Sequence, residues 1–109
     1  LTTQGYRIYK TSFEAAHYIE GHVKCGSIHG HSFNLTVKLF EKDLKHWIDF
    51  EDIKKQVDMH LIKTFDHKNL GNITCEEIAI KISEFLLSKR YTGSIQLNET
   101  NQFGIEILF

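Results

Sequence analysis

The segment CGSIHGH, residues 25–31, gathers residue types that bind metals and move protons. His29 and His31 flank Gly30. In an extended chain, residues i and i+2 point to one face, about 7 Å apart along the backbone. Imidazoles placed in this way can converge on a zinc ion at about 2.0–2.1 Å, and Gly30 removes a side chain that would resist a bend. His17 follows Ala15-Ala16 at the end of an expected strand. It can supply a third nitrogen from a neighbouring strand about 4.8 Å away. Three histidines with no fourth protein ligand leave a coordination position open, which is the catalytic rather than the structural form of a zinc site. A bare His-x-His is commonly a turn or surface pair, and the addition of His17 makes a metal site the competing reading. Cys25, between Gly21 and Gly26, is either an inert thiol or one whose pKa a nearby zinc or imidazolium depresses, so that it serves as a base. Asp66 and His67 place a carboxylate beside an imidazole, the usual way to set a tautomer and raise ring basicity. Adjacent side chains seldom bond one another, so a polar helix end is the plainer reading of that pair. Glu99, near the end of an expected strand, reads by itself as a solvent-facing residue.

The elements that must position these groups follow from periodicity. Residues 6–13 alternate around Tyr6 and Ile8, and residues 32–40 set Phe33, Leu35, Val37 and Leu39 on one face. Both read as strands. The Gly- and His-containing stretch between them, 14–30, reads as a loop longer than a hairpin needs. Phe50, Ile53, Val57, Leu61 and Ile62 recur at helical spacing behind Asp49 as N-cap. Ile78, Ala79, Ile82, Phe85 and Leu86 do so behind Thr74, with Glu76 and Glu77 at the positive end. Residues 94–99 and 103–109 alternate again around a short turn. The order ββααββ predicts an α+β fold in which two helices pack on one face of a four-stranded antiparallel sheet.

The chain has 109 residues, 41% of them hydrophobic and 25% charged, with a net charge of −1. One domain, 1–109, is expected, since no linker, repeat or biased segment interrupts it. The near-neutral balance argues against nucleic acid as partner. No apolar run approaches a membrane span, and no apolar leader is visible at the start, although a short one could have been trimmed. Two cysteines fifty residues apart favour a reducing compartment, the cytoplasm, over a disulfide scaffold. At this size only about 65% of the unfolded chain's surface is buried, so the open sheet edges and the second sheet face predict self-association. Seven histidines and no proline stand out in the composition. His22, His46 and His60 read as surface residues, and Lys24, Lys68 and Arg90 are candidate phosphate partners to which no role is given.

FEAAH (13–17), CGSIHGH (25–31), WIDF (47–50), FDH (65–67), TCEE (74–77) and NET (98–100) in this order resemble the 6-pyruvoyltetrahydropterin synthase superfamily. The nearer resemblance is to its 6-carboxytetrahydropterin synthase branch, to which the short spacing between Cys25 and His29 is similar. The resemblance implies the tunnelling fold, with ββααββ subunits assembled as a homohexamer (a dimer of trimers) and active sites between subunits. It implies that His17, His29 and His31 bind Zn²⁺ and that Cys25, Asp66 and His67 are catalytic. Glu99 would anchor the pterin ring by a paired hydrogen bond, and Thr74 and Glu76 would line the pterin pocket. The implied substrate is 7,8-dihydroneopterin triphosphate. The implied products are 6-carboxy-5,6,7,8-tetrahydropterin, triphosphate and acetaldehyde, in a deazapurine (queuosine-type) precursor pathway. Alternatives are the 6-pyruvoyl reaction, in which the side chain is retained, a non-catalytic zinc- or pterin-binding relative, and a zinc hydrolase. The chain departs from the family pattern at Ile73, where proline is usual, at Cys75, at His46, and at Gly71, where an asparagine is expected unless Asn72 takes over through a shifted loop.

Overall fold

Alternation carries both long strands further than expected. In the computed structural model, which describes residues 2–109, β1 is Gly5–Tyr18 and β2 is His29–Glu41, so the connecting loop shrinks to residues 19–28. There follow α1 (Phe50–Thr64), β3 (Lys68–Asn72), α2 (Cys75–Ser88), β4 (Gly93–Asn98) and β5 (Gly104–Leu108). The sheet order is β3-β1-β2-β4-β5. The ββααββ elements are antiparallel where they pair, and both helices cover one face.

The sheet differs from the expected four strands by one. β3 adds a short fifth strand, parallel to the end of β1. Its sequence, KNLGN, contains one large apolar residue and no alternation, so it gives no strand signal. It exists because the unpaired edge of β1 from Ala15 to Tyr18 accepts it. The register slips by one residue between Ala16 and Tyr18, where Gly71 takes φ +77°. That bulge is the shifted loop, and it brings Asn72 opposite Tyr18.

The core face of the sheet is set by Phe13, Ala15, Phe33, Leu35, Val37, Leu39, Ile95 and Leu97, all buried. Ile53, Val57 and Leu61 of α1 and Ile78, Ala79, Ile82 and Leu86 of α2 close over it. The two ends of the apolar stripe expected for α1 lie outside this layer, with Phe50 62% and Ile62 64% exposed. Tyr6 and Ile8 also lie on the open face of the sheet. The alternation of β1 is real, but its inward set is Tyr9, Thr11, Phe13, Ala15 and His17. Both expected caps are present: Asp49 accepts from the Glu51 N–H and Thr74 from the Glu77 N–H. No helix among the described residues is long and apolar enough to cross a membrane.

Candidate metal centre

Antiparallel register assembles the histidines. His17 of β1 stands opposite His29 of β2, and Ala15 stands opposite His31. Period-two alternation then turns all three imidazoles toward the helix side, at the end of the sheet where the Phe33 and Phe13 rings stop. Their ring centroids are 4.6, 4.9 and 5.2 Å apart, and one nitrogen from each lies within 4.8 Å of the others.

The second nitrogen of each ring explains which one is free. His17 Nδ1 lies 2.7 Å from the Ile73 carbonyl, and His29 Nδ1 lies 2.8 Å from the Ser27 carbonyl. A carbonyl can only accept, so each Nδ1 bears the proton, and in the neutral ring each Nε2 presents a lone pair. The Nε2 atoms of His17 and His31 are buried with no hydrogen-bond partner among the described residues, and His17 is wholly buried. A buried acceptor without a donor costs about 1–3 kcal/mol, and a bound cation removes that cost. Burial lowers the His31 pKa, opposed by the Glu99 charge and reinforced by His17 and His29, which keeps the ring in its neutral, ligating form. Imidazoles whose far nitrogens donate to carbonyls are the donor set a divalent zinc-type ion requires.

Glu99 is the first residue beyond β4 and continues the inward set Ile95, Leu97. Its Oε2 lies 3.7 Å from His31 Nε2 and 3.8 Å from His17 Nε2. The residue is therefore at the metal centre, where its sequence position alone suggested solvent.

Cys25 is a free, half-buried thiol in the 19–28 loop. That loop is closed on itself by the Ile19 N–H to Cys25 carbonyl bond of 2.7 Å. His22 Nδ1 accepts from the Cys25 N–H at 2.8 Å and from the Lys24 N–H at 3.2 Å. Gly26 is required here, since a Cβ would stand 2.5 Å from the His22 carbonyl oxygen. Asn72 ties the base of the loop down: its Oδ1 accepts from the Glu20 N–H at 3.1 Å and its Nδ2 donates to the Glu20 carboxylate at 3.2 Å. His22 and Asn72 thus position Cys25. The surface reading of His22 was incomplete: the residue is exposed, but its ring nitrogen is committed.

Asp66 and His67 do bond directly, with Asp66 Oδ2 3.0 Å from His67 Nδ1. The contact forms because His67 adopts φ +57°, which folds the ring back over its neighbour. The pair is clamped to the edge of β1 at one residue. The His67 N–H donates to the Glu14 carbonyl at 2.6 Å, and the Glu14 N–H donates to Asp66 Oδ1 at 2.9 Å. The Glu14 amide is the main reason the Asp66 carboxyl is held below its ordinary value, with His67 adding to it. His67 remains well exposed and, with His31, lines a cleft of about 480 Å³ that Lys68 and Asn69 also border. Cys25 does not line that cleft.

Thr74 spends its hydroxyl on capping α2, and Glu76 is exposed in the first turn. Cys75 points inward, its Sγ 3.9 Å from the Leu97 carbonyl. Burial first, then the charges of Glu99 and Glu76, push its thiol up to about 12, so it stays protonated and structural. Ile73 stands where the resembled family has proline, and its N–H donates to the Tyr18 carbonyl at 3.2 Å. Proline has no N–H to give. The isoleucine thereby pins the segment whose own carbonyl orients His17. His60, read as a surface residue, instead stacks on Phe85 at 3.9 Å.

Residues 7–99 match the family described as 6-pyruvoyl tetrahydropterin synthase. A dihydroneopterin monophosphate aldolase from Pyrococcus furiosus is 38% identical over 92% of this chain and 94% of its own. Proteins provisionally named 6-carboxy-5,6,7,8-tetrahydropterin synthase are 42% identical in Archaeoglobus fulgidus and 44% in Methanocaldococcus jannaschii, over 68% and 72% of this chain. The matches span 62% and 50% of those two relatives. Among solved structures, the 6-pyruvoyl tetrahydropterin synthase of Caenorhabditis elegans superposes with a TM-score of 0.85 over 99% of this chain and 97% of its own, at 23% identity. That likeness shows the tunnelling-type α+β fold. The match over residues 7–99, with a site of three convergent imidazoles, places this chain in the 6-pyruvoyl tetrahydropterin synthase family, and the identity to the two carboxy-named relatives supports that branch.

Proposed function

We propose that this chain is a zinc-dependent lyase that breaks the C1′–C2′ bond in the side chain of a 7,8-dihydroneopterin phosphate. The observation that carries this reading is the convergence of His17, His29 and His31, with the Nε2 atoms of His17 and His31 buried and unpaired. Those residues would hold the ion, which when bound polarises the side-chain hydroxyls and makes them more acidic. The cleft shared by His31 and His67 lies within the usual range of small-ligand sites, about 300–1,000 Å³.

The protein's own groups then move the protons. Cys25, as thiolate, takes the proton of the C2′ hydroxyl. A carbonyl forms at C2′ as the C1′–C2′ bond breaks, and the electron pair passes into the N5=C6 imine of the dihydropterin. His67 delivers a proton to C1′, which restores the imine. Asp66 holds the ring for this step. Because Cys25 lies outside the cleft that His67 lines, this reading assigns the pair to a site formed between copies of the chain, in a homohexamer built from two trimers. Glu99 would accept from the 2-amino and ring N–H groups of the pterin. Thr74 and Glu76 would line the pterin pocket, Thr74 by fixing the start of α2.

Two substrates are candidates, and this step by itself completes the reaction of the first. Similarity over almost the whole chain to the Pyrococcus aldolase favours the monophosphate, giving 6-hydroxymethyl-7,8-dihydropterin and glycolaldehyde phosphate. Identity above 40% to the two carboxy-named relatives favours the triphosphate. That reading needs a longer sequence: protons leave C1′ and C2′ as triphosphate is eliminated from C3′, and the resulting dicarbonyl side chain on the now tetrahydro ring takes up one water as its C1′–C2′ bond breaks. C1′ thereby becomes the carboxyl of 6-carboxy-5,6,7,8-tetrahydropterin and C2′–C3′ leave as acetaldehyde, for a cytoplasmic deazapurine precursor pathway. Offering each phosphate to the zinc-loaded protein separates them by the aldehyde released. Triphosphate release without any aldehyde would instead indicate the 6-pyruvoyl reaction, and no turnover of either substrate would overturn the lyase reading.

A further inference from the structure

Glu99 Oε2 faces the Nε2 atoms of both His17 and His31, at 3.8 and 3.7 Å. Those nitrogens are buried and accept no hydrogen bond. The tautomer of His17 is set by the Ile73 carbonyl, so in the neutral ring its Nε2 is a lone pair. A carboxylate is likewise only an acceptor. Acceptors that face one another across this distance are reconciled by a cation between them. Two ligand atoms on one tetrahedral zinc stand about 3.3–3.5 Å apart, given bonds of about 2.0–2.2 Å to nitrogen and carboxylate oxygen. The Glu99 oxygen is within a few tenths of an ångström of that spacing from both nitrogens.

The turn after β4 holds Glu99 in place. Its N–H donates to the Phe103 carbonyl at 3.2 Å, and Thr100 Oγ1 accepts from the Gln102 and Phe103 N–H groups at 3.2 and 3.0 Å. The backbone of residues 99–103 is thereby fixed while the carboxylate keeps its side-chain torsions. A carboxylate at the metal is too near the ion to grip the far, 2-amino edge of a pterin whose side chain reaches the same ion. The two roles therefore call for two positions of the carboxylate, and the one beside the histidines is the one seen here.

We propose that Glu99 is a fourth, displaceable ligand of the resting metal, closing the coordination position that the substrate side chain must open. The inference rests on the metal centre proposed above and adds to it a self-blocking carboxylate. When substrate arrives, its hydroxyls replace Glu99, and the freed carboxylate is available to the pterin ring.

Cobalt(II) substitution tests this in the absence of any pterin. Wild type and Glu99→Gln are titrated with cobalt(II), and each loaded protein is then titrated with azide while the visible absorption is recorded. Glutamine preserves size at a residue that is partly exposed, and a thermal melt checks that the variant folds. The expected result is that Glu99→Gln binds cobalt at least ten-fold more weakly, has an altered visible spectrum, and takes azide at least ten-fold more readily than wild type. Glu99→Ala should regain the wild-type spectrum when acetate is added. Identical affinities, spectra and azide titrations for wild type and Glu99→Gln would overturn the ligand role while leaving the three-histidine centre intact. A wild-type protein that takes up no cobalt would overturn the metal centre and this inference together.

Discussion

His17 Nδ1 and the Ile73 carbonyl, 2.7 Å apart, join the metal centre to the segment that opens α2. The bond decides the tautomer of a wholly buried ring and aims its Nε2 at His29 and His31. Because the ring is both ligand and core, His17→Ala should fail twice. Zinc content measured by mass spectrometry should fall toward none. The apo protein should also lose about 1–3 kcal/mol, the cost of leaving the Ile73 carbonyl without its donor. His29→Ala, at a ring bound to a loop carbonyl on the rim, should lower zinc content with a much smaller loss of apo stability. Equal destabilisation by the two would argue that His17 has no special structural role.

Asp66 and His67 should separate from the metal ligands in their effects. His67→Ala removes an exposed ring whose backbone, not side chain, is bonded to Glu14. Zinc content and melting temperature should stay close to wild type while kcat falls by about 10²–10⁴, the usual span for general acid–base groups. Asp66→Asn keeps an oxygen for the Glu14 N–H but loses the carboxylate that pairs with the ring, so a partial loss of kcat at unchanged zinc content is expected. Full activity in His67→Ala would remove it as the proton donor.

Much of the site was legible from chain order because the chemistry lies on regular elements. His29 and His31 share a face by strand alternation, and His17 is brought beside them by one antiparallel register. Phe33 to Leu39 foretold the core face of β2 without ambiguity. What was hidden depended on tertiary contact. β3 forms at an open edge from residues with no pattern of their own. Asp66 and His67 meet only because His67 takes a left-handed backbone, which no spacing rule anticipates. Glu99 reaches the centre because β4 lies beside β2, a pairing between segments sixty residues apart. His22 offered one usable signal, an imidazole three residues before a candidate catalytic cysteine in a glycine-flanked loop.

That loop yields a third prediction. His22→Ala removes the acceptor of the Cys25 and Lys24 N–H groups and should loosen the backbone that presents the thiol. Alkylation by iodoacetamide, followed by intact mass and peptide mapping, should then proceed several-fold faster at Cys25. Cys75 serves as the internal control, since its buried thiol, with a pKa pushed up to about 12, should remain unlabelled in both proteins. The same change should reduce kcat, because a mobile base spends less time in reach of its proton. An unchanged labelling rate would show that the loop is held without His22.

His60 gives a pH dependence whose sign can be worked out. Its ring stacks on Phe85 at 3.9 Å and meets the edge of Phe65, and burial lowers its pKa below the ordinary 6.5. Among the described residues, Thr64 Oγ1, 3.5 Å from Nδ1, is its one side-chain hydrogen-bond neighbour, and Nε2 has none. The folded state therefore binds fewer protons than the unfolded chain at pH values between the lowered pKa and 6.5. Stability contributed by the neutral ring is complete above about 6.5 and is lost as pH falls from there to the folded pKa. His60→Phe preserves the stack and removes the proton. In denaturant titrations of the metal-free proteins, wild type should lose more stability than His60→Phe as pH is lowered below 6.5, and the two should run parallel above it. His31, lowered in the same direction, contributes equally to both and cancels in the difference. Parallel curves throughout would place the acid sensitivity elsewhere.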